Sequence, residues 1–257
     1  MASATFVLST GRCGTQWLTE KLSLLYPNRQ IVHEPLSFNY RPDLNTELSP
    51  LSYNKELIQH HLSEIQQRLS RGQSYIETGF PCWRHLHWFR QQLDGQVRVI
   101  HLHRDPVDTV HSLLKINAFV PPFVPHLPLK NLFVPNSEHG YLAQWHELWP
   151  LLNPAEKNLW YWSEVQAQAL QLRQEWPATD WLELKFDQLF SVATKQALTE
   201  FLGPEAVSDA ASPGLVDRYG AGAIALCAVE FPLLQKVPAI TQLIEHLGYS
   251  SDFCRNS

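Results

Sequence analysis

The residues best suited to chemistry stand at the front of the chain. Gly11-Arg12-Cys13-Gly14-Thr15-Gln16-Trp17 follows the apolar run Thr5 to Ser9 and precedes a helical pattern in which Leu18, Leu22 and Leu25 recur at i, i+4 and i+7. Glycine at 11 and 14 lets the backbone turn tightly and approach a ligand. Arg12 and the Thr15 hydroxyl add donors beside the first N–H groups of the helix. A strand, an anion-binding loop and a helix in this order are expected to hold a phosphate, although an ordinary glycine-containing turn uses the same residues. The loop is not that of the nucleoside triphosphatases, which has four residues between its glycines and ends in Gly-Lys-Ser/Thr. Here two residues separate Gly11 from Gly14, and no lysine follows.

A second set lies about ninety residues on. Gln96 to His103 reads as a strand, and Arg104-Asp105-Pro106 leads into a helical run from Val107 to Lys115. Asp105 suits an N-cap and Pro106 the first helical position, so Arg104 leaves the strand where the next helix begins. Val107, Val110 and Leu114 are expected to form the buried stripe. Ser112 falls about 140° round from Val107 at roughly 100° per residue, beside Asp108, with its hydroxyl free for a polar partner. Arg104 and Ser112, eight positions apart, are expected to hold a further phosphate.

Together the two motifs resemble the sulfotransferases that use 3′-phosphoadenosine-5′-phosphosulfate (PAPS) and release adenosine 3′,5′-bisphosphate (PAP). In that family a strand-loop-helix of the type Pro/Gly-Lys/Arg-Ser-Gly-Thr-Thr-Trp-Leu cradles the 5′-phosphosulfate, and an Arg-x7-Ser pair binds the 3′-phosphate. Gly11 to Leu18 and Arg104-x7-Ser112 match these motifs; Trp181 to Leu189 and His246-Leu-Gly-Tyr249 are weaker landmarks. The resemblance implies an α/β fold of the three-layer, P-loop-kinase-like kind, with a mainly parallel sheet of about five strands and a helical C-terminal third. It implies PAPS as co-substrate without a metal, and a small-molecule acceptor. Gly11, Arg12, Cys13, Gly14, Thr15, Gln16, Trp17, Arg104 and Ser112 would bind the nucleotide, with Arg218 from a late basic segment. Arg12 would also neutralise the leaving phosphate.

The departures are informative. Cys13 and Gln16 replace hydroxyl residues of the family loop, yet the backbone cradle survives; Cys13 is expected to pack the loop, since a Cys-x5-Arg nucleophile motif would need arginine where Thr19 stands. The base histidine of cytosolic sulfotransferases is also missing. Its segment corresponds to Tyr75 to Pro81, with Gly79 at the histidine place and Glu77 at the lysine place. Carbohydrate and many bacterial sulfotransferases instead carry an acidic residue in a Glu-Pro segment, which Ile31 to Leu36 resembles. Glu34 is therefore the expected general base, with His33 as reserve and Glu77 after it; a Glu34 that merely caps a backbone turn is the alternative. Side-chain alternation would send His33 and Glu34 to opposite faces if the strand continued through them. A nucleotide-binding protein without catalysis and a kinase built on a related loop remain the rival readings.

The rest of the chain must position these groups. At 257 residues it suits one α/β domain over 1–257, with strands near 5–9, 30–32, 74–77, 97–102 and 181–184, and helices near 56–70, 156–175, 193–202 and 222–236. Alternating strands and helices predict ligands at the C-terminal ends of a parallel sheet. Segment 117–136 carries five prolines among aromatic and aliphatic residues and is a candidate lid over the acceptor or a static packed loop. A net charge of −5 without like-charge runs argues against nucleic acid and anionic membranes. Four cysteines without Cys-x2-Cys spacing, no apolar run of spanning length and no signal-like N-terminus lead to an expectation of a cytoplasmic protein. His85-x-His87 and His101-x-His103 would each share one face of a strand, but the sequence shows no third ligand, so no metal site is expected. The oligomeric state and the acceptor's identity are not legible in the sequence.

Overall fold

The computed structural model describes residues 2–36, 55–79, 83–120, 140–142, 145, 147–203 and 229–253. Five strands form one sheet: β1 (Ala4–Leu8), β2 (Gln30–His33), β3 (Tyr75–Thr78), β4 (Val97–His103) and β5 (Trp181–Lys185). Their order is β2-β3-β1-β4-β5 and every pairing is parallel. All five lie within a residue or two of the sequence expectation. Interior strands buried on both faces read as near-continuous apolar runs, which is why they were visible.

Among the described residues the helices are α1 (Thr15–Leu25), α2 (Lys55–Ser70), α3 (Leu86–Gln92), α4 (Pro106–Lys115), α5 (Pro154–Glu175), α6 (Val192–Leu202) and α7 (Pro238–His246). Contacts divide the chain into two compact units, one of 1–42, 46–103 and 171–216, the other of 43–45, 104–170 and 217–257.

The first unit holds the sheet. On one face Val7, Ile76, Ile100, Leu102 and Leu184 form a core with Leu18, Leu22 and Leu25 of α1 and Leu198 and Leu202 of α6. On the other, Phe6 packs against Tyr75 and against Phe89 of α3, while His61 of α2 meets the same two rings. This makes helix, sheet and helix layers, as an α/β fold requires to cover both faces.

In the second unit the N-terminal part of α5 buries Glu156, Asn158 and Glu164, whose side chains bond to backbone groups of irregular segments. Glu156 accepts from Leu233 N at 2.6 Å and Leu234 N at 3.1 Å, Asn158 Nδ2 donates to Ala118 O at 2.9 Å, and Glu164 accepts from Tyr141 N and Leu142 N at 2.9 Å each.

Several expectations are corrected. The stripe of α4 is Pro106, Thr109, Val110, Leu113 and Leu114, with Val107 only half-buried: positions 3 and 4 apart from Pro106 and Val110 face inward, one helical face over from that expected. His85 and His87 do not share a strand: His85 lies in a 3-10 turn (Trp83–His85) and His87 on α3, paired with Glu175 at 2.7 Å. The helix expected at 222–236 falls partly outside the described residues; within 229–236 only a 3-10 turn, Leu234–Lys236, is present, and the helix starts at Pro238. Of the candidate lid, Ala118, Phe119 and Val120 are buried, and Phe119 packs on Trp149 with ring centroids 5.3 Å apart; residues 121–136 lie outside the described residues. No described helix is long and apolar enough to cross a membrane.

Candidate functional site

The loop after β1 has backbone angles that few residues adopt. Gly11, Arg12 and Gly14 all have positive φ, at 75°, 56° and 81°. For Arg12 this conformation is strained, and such strain concentrates at functional positions. The two glycines are required for different reasons. A Cβ on Gly14 would come within 2.9 Å of Phe186 and 3.2 Å of Leu189, whereas one on Gly11 would meet nothing within 4 Å, so that side of the loop is open.

Cys13 lies at the bottom of the turn, fully buried, its thiol donating to Gly11 O at 3.1 Å with Thr10 Oγ1 at 3.2 Å. That geometry fits a residue that packs the loop. The Gly11 N–H donates to Ser9 Oγ at 3.1 Å. Helix α1 then begins at Thr15 with Gly14 as a cap that offers no side-chain acceptor, and the N-terminus of a helix is a place where an anion can bind. Trp17 is buried edge-on against Phe190, their centroids 4.7 Å apart, and walls a cavity of about 160 Å³ with Lys21, Leu189 and Lys195. Burial pushes the Lys21 ammonium down, with help from the like charge of Lys195.

The second strand contributes the acidic group. Strand β2 ends at His33, and the Glu34 N–H still donates to Thr78 O at 3.0 Å, but Glu34 itself turns to a φ of 45° immediately before Pro35. Residues before proline normally stay extended, so this is a second strained candidate. The turn breaks the alternation expected from the sequence: rather than pointing to opposite faces, His33 Nε2 approaches Glu34 Oε1 to 3.7 Å. On its other side His33 Nδ1 lies 2.9 Å from Thr78 Oγ1, which in turn is 2.5 Å from Thr19 Oγ1 of α1. A run from α1 through β3 to β2 thus orients the imidazole beside the carboxylate.

Gly79 explains the room for that carboxylate. It has a φ of 69°, and a Cβ there would lie 2.6 Å from Glu34 Cγ and 2.9 Å from Glu34 Oε1. Glu34 therefore fills the volume that any side chain at position 79 would claim. Burial pushes the Glu34 carboxyl above the ordinary range, opposed by the electrostatic influence of His33 and Arg12 and reinforced by Glu77. Among the described residues no backbone N–H donates to the Glu34 carboxylate, which does not fit the turn-capping alternative.

Glu77, next in line as a base, is fully buried, and its Oε2 accepts from Tyr75 OH at 2.9 Å and lies 3.0 Å from His61 Nε2. An acceptor cannot reach it, which corrects its place as a reserve base. Burial, then Glu77 as neighbouring charge and hydrogen-bond partner, raise the Tyr75 phenol far above its usual value.

In the second unit Arg104 opens the segment before α4. Its carbonyl accepts from Trp162 Nε1 at 3.0 Å and its guanidinium sits 3.7 Å from Asp108 Oδ2. Asp105 caps α4 as expected, accepting from Val107 N at 2.9 Å and Asp108 N at 3.2 Å. Ser112 is half-buried on α4, and Arg218 lies outside the described residues.

Two solved structures share this architecture. A sulfotransferase domain from the curacin biosynthetic pathway matches with a TM-score of 0.54 at 13% identity, over 97% of this chain and 99% of that one. One from the olefin synthase of Synechococcus PCC 7002 matches with a TM-score of 0.52 at 14% identity, over 97% and 96%. The fold is that of sulfotransferase domains. No family model and no curated protein matches the sequence.

Arg12, His33 and Glu34 thus belong to one cluster at the C-terminal ends of β1, β2 and β3, the edge where parallel sheets bind ligands. Sequence reasoning missed Thr19, Thr78 and the close approach of Glu34 to Gly79. A glycine at the place of the expected histidine was the available signal, because it leaves space for a side chain from the neighbouring strand.

Proposed function

We propose that the chain transfers a sulfuryl group from PAPS to a hydroxyl of a small-molecule acceptor, with Glu34 as general base. The observation that carries this reading is the Glu34 carboxylate, which packs over Gly79 under the electrostatic influence of Arg12, beside a loop built to hold an anion. PAPS supplies an activated sulfuryl group on a phosphate. The backbone N–H groups at the start of α1 and the Arg12 guanidinium bind that phosphate and neutralise the charge that grows on it as its bond to sulfur breaks. Arg12 can engage two oxygens with one planar fork. Glu34 takes the acceptor proton as the new oxygen–sulfur bond forms, so its raised pKa is an asset: a base poised nearer neutrality transfers protons more effectively than an ordinary carboxylate. His33 holds the carboxylate in place and does not itself contact the acceptor.

Arg104 and Ser112 are proposed to bind the 3′-phosphate, with the capped start of α4 fixing the direction in which Arg104 leaves the chain. The proposal is tested by supplying PAPS with a panel of hydroxyl acceptors and following PAP release, alongside calorimetry with PAP and with magnesium-ATP. Micromolar PAP binding, roughly −8 kcal/mol, without magnesium, together with turnover on at least one acceptor class, is the expected result. Tighter binding of magnesium-ATP than of PAP would reassign the chain to phosphoryl transfer, and PAP binding with no turnover on any acceptor would leave a nucleotide-binding protein.

A further inference from the structure

We propose that His101, His103 and Glu183 form a binding site for a divalent transition cation of the zinc type, separate from the nucleotide loop and independent of the sulfotransferase reading. The two histidines alternate along β4 and so share a face of the sheet, while Glu183 is the direct register partner of His101 on the adjacent strand β5. From the sequence His101-x-His103 lacked a third ligand; strand pairing supplies one 80 positions later in the chain.

The geometry suits a cation. One ligand atom from each of the three residues lies within 4.8 Å of the others. His103 Nε2 and Glu183 Oε1 are 3.4 Å apart, longer than the range of about 2.7–3.2 Å preferred for a nitrogen-to-oxygen hydrogen bond. It is, however, the separation of two ligands that each sit about 2.1 Å from a shared metal at a tetrahedral angle. The imidazole rings lie side by side, their centroids 4.8 Å apart and their planes tilted by 32°, and binding would draw the three ligand atoms closer together than they stand.

Burial points the same way. His101 and His103 are 1% and 0% exposed, whereas the Glu183 side chain is 44% exposed. Two buried imidazoles thus sit side by side with a carboxylate at their solvent side as the route in, and a water would complete four-coordination. Two histidines and a glutamate with one open position form a recognised zinc ligand set. A cation bound there would tie β4 to β5 immediately before Arg104 in the chain, and so steady the strand end from which the proposed 3′-phosphate arginine departs.

The experiment uses the full-length chain, stripped with chelator, titrated with Co²⁺ as a spectroscopic probe and with Zn²⁺, and assayed for metal content after desalting. The expected result is one retained equivalent per chain, visible Co²⁺ absorption of four- or five-coordinate character, and a rise in Tm with Zn²⁺. Glu183→Gln, at an exposed position that should not disturb folding, is expected to weaken binding by more than the 10–100-fold typical of losing an outer partner of a metal ligand and to abolish the Tm rise. His103→Gln is expected to do the same. With twelve histidines in the chain, weak binding elsewhere would persist in both variants. Retention of no metal by the wild-type protein, or equal retention by wild type and Glu183→Gln, would overturn the proposal, and neither outcome bears on PAP binding measured on the same preparations.

Discussion

Two residues with left-handed backbones, Arg12 and Glu34, follow β1 and β2, the strands on either side of β3, and each has a conformation that few non-glycine residues adopt. Strain of this kind costs about 1–3 kcal/mol per residue and persists only where packing holds it. Glu34→Gln keeps size and removes basicity, so turnover on a hydroxyl acceptor is expected to fall by about 10²–10⁴ while PAP affinity measured by calorimetry stays nearly constant. The pH profile should show the same group. Because burial raises the Glu34 pKa, the acid limb of kcat/KM is expected above the ordinary glutamate range of about 4.3, and to be absent from the residual rate of Glu34→Gln.

The stability consequence has the opposite sign. A carboxyl whose folded pKa is raised favours folding when protonated, and that contribution is lost as pH rises through the folded value. Ionised Glu34 is a cost at neutral pH, so Glu34→Gln should leave Tm unchanged or raise it in a thermal melt at pH 7. Gly79→Ala tests the same contact from the other side. Its Cβ would displace Glu34 and sit at a φ of 69°; a loss of about 1–2 kcal/mol in denaturant unfolding and a fall in turnover of the order of 10²-fold are expected.

At the scale of elements, the start of α4 is the clearest case of sequence dictating geometry. Asp105 accepts two backbone N–H groups and Pro106 occupies the first helical position, so Arg104 is delivered at a defined place in the chain. Asp105→Ala is expected to cost about 1 kcal/mol of stability, read by chemical denaturation. Arg104→Ala should weaken PAP binding by about 2 kcal/mol, as for loss of a charge-assisted contact, yet barely affect adenosine 5′-phosphosulfate, which lacks the 3′-phosphate. Equal losses for the two ligands in calorimetry would show that Arg104 acts elsewhere. Helix α5 makes the converse point: its Glu156 and Glu164 look like surface residues in the sequence, but they are buried because the backbone of irregular segments needs acceptors.

At the scale of the molecule, the chain is acidic, with a net charge of −5, and Arg12 and Arg104 are the cations proposed to bind the anionic nucleotide locally. A ligand that binds only the folded state stabilises it by mass action, so PAP at a hundred times its Kd should add about 2.7 kcal/mol. This would appear as a Tm that rises with PAP concentration in a thermal-shift titration, without a matching rise for magnesium-ATP.

The amino-acid sequence by itself determined the five strands, the loop glycines, the cap of α4 and the position of the candidate base, because these depend on local chemistry: β-branched and apolar runs, φ preferences and side-chain-to-backbone hydrogen bonds. It did not reveal α3, whose seven residues are too short to show a helical period, or the start of the last helix at Pro238. Nor could it place His33 beside Glu34, since that contact arises where β2 ends and the chain turns against β3. The approach of Glu34 to Gly79, the burial of Glu77 under Tyr75 and His61, and the gathering of His101, His103 and Glu183 were decided only by strand order and register. Those are long-range pairings between residues far apart in the chain, and no local pattern encodes which strands become neighbours.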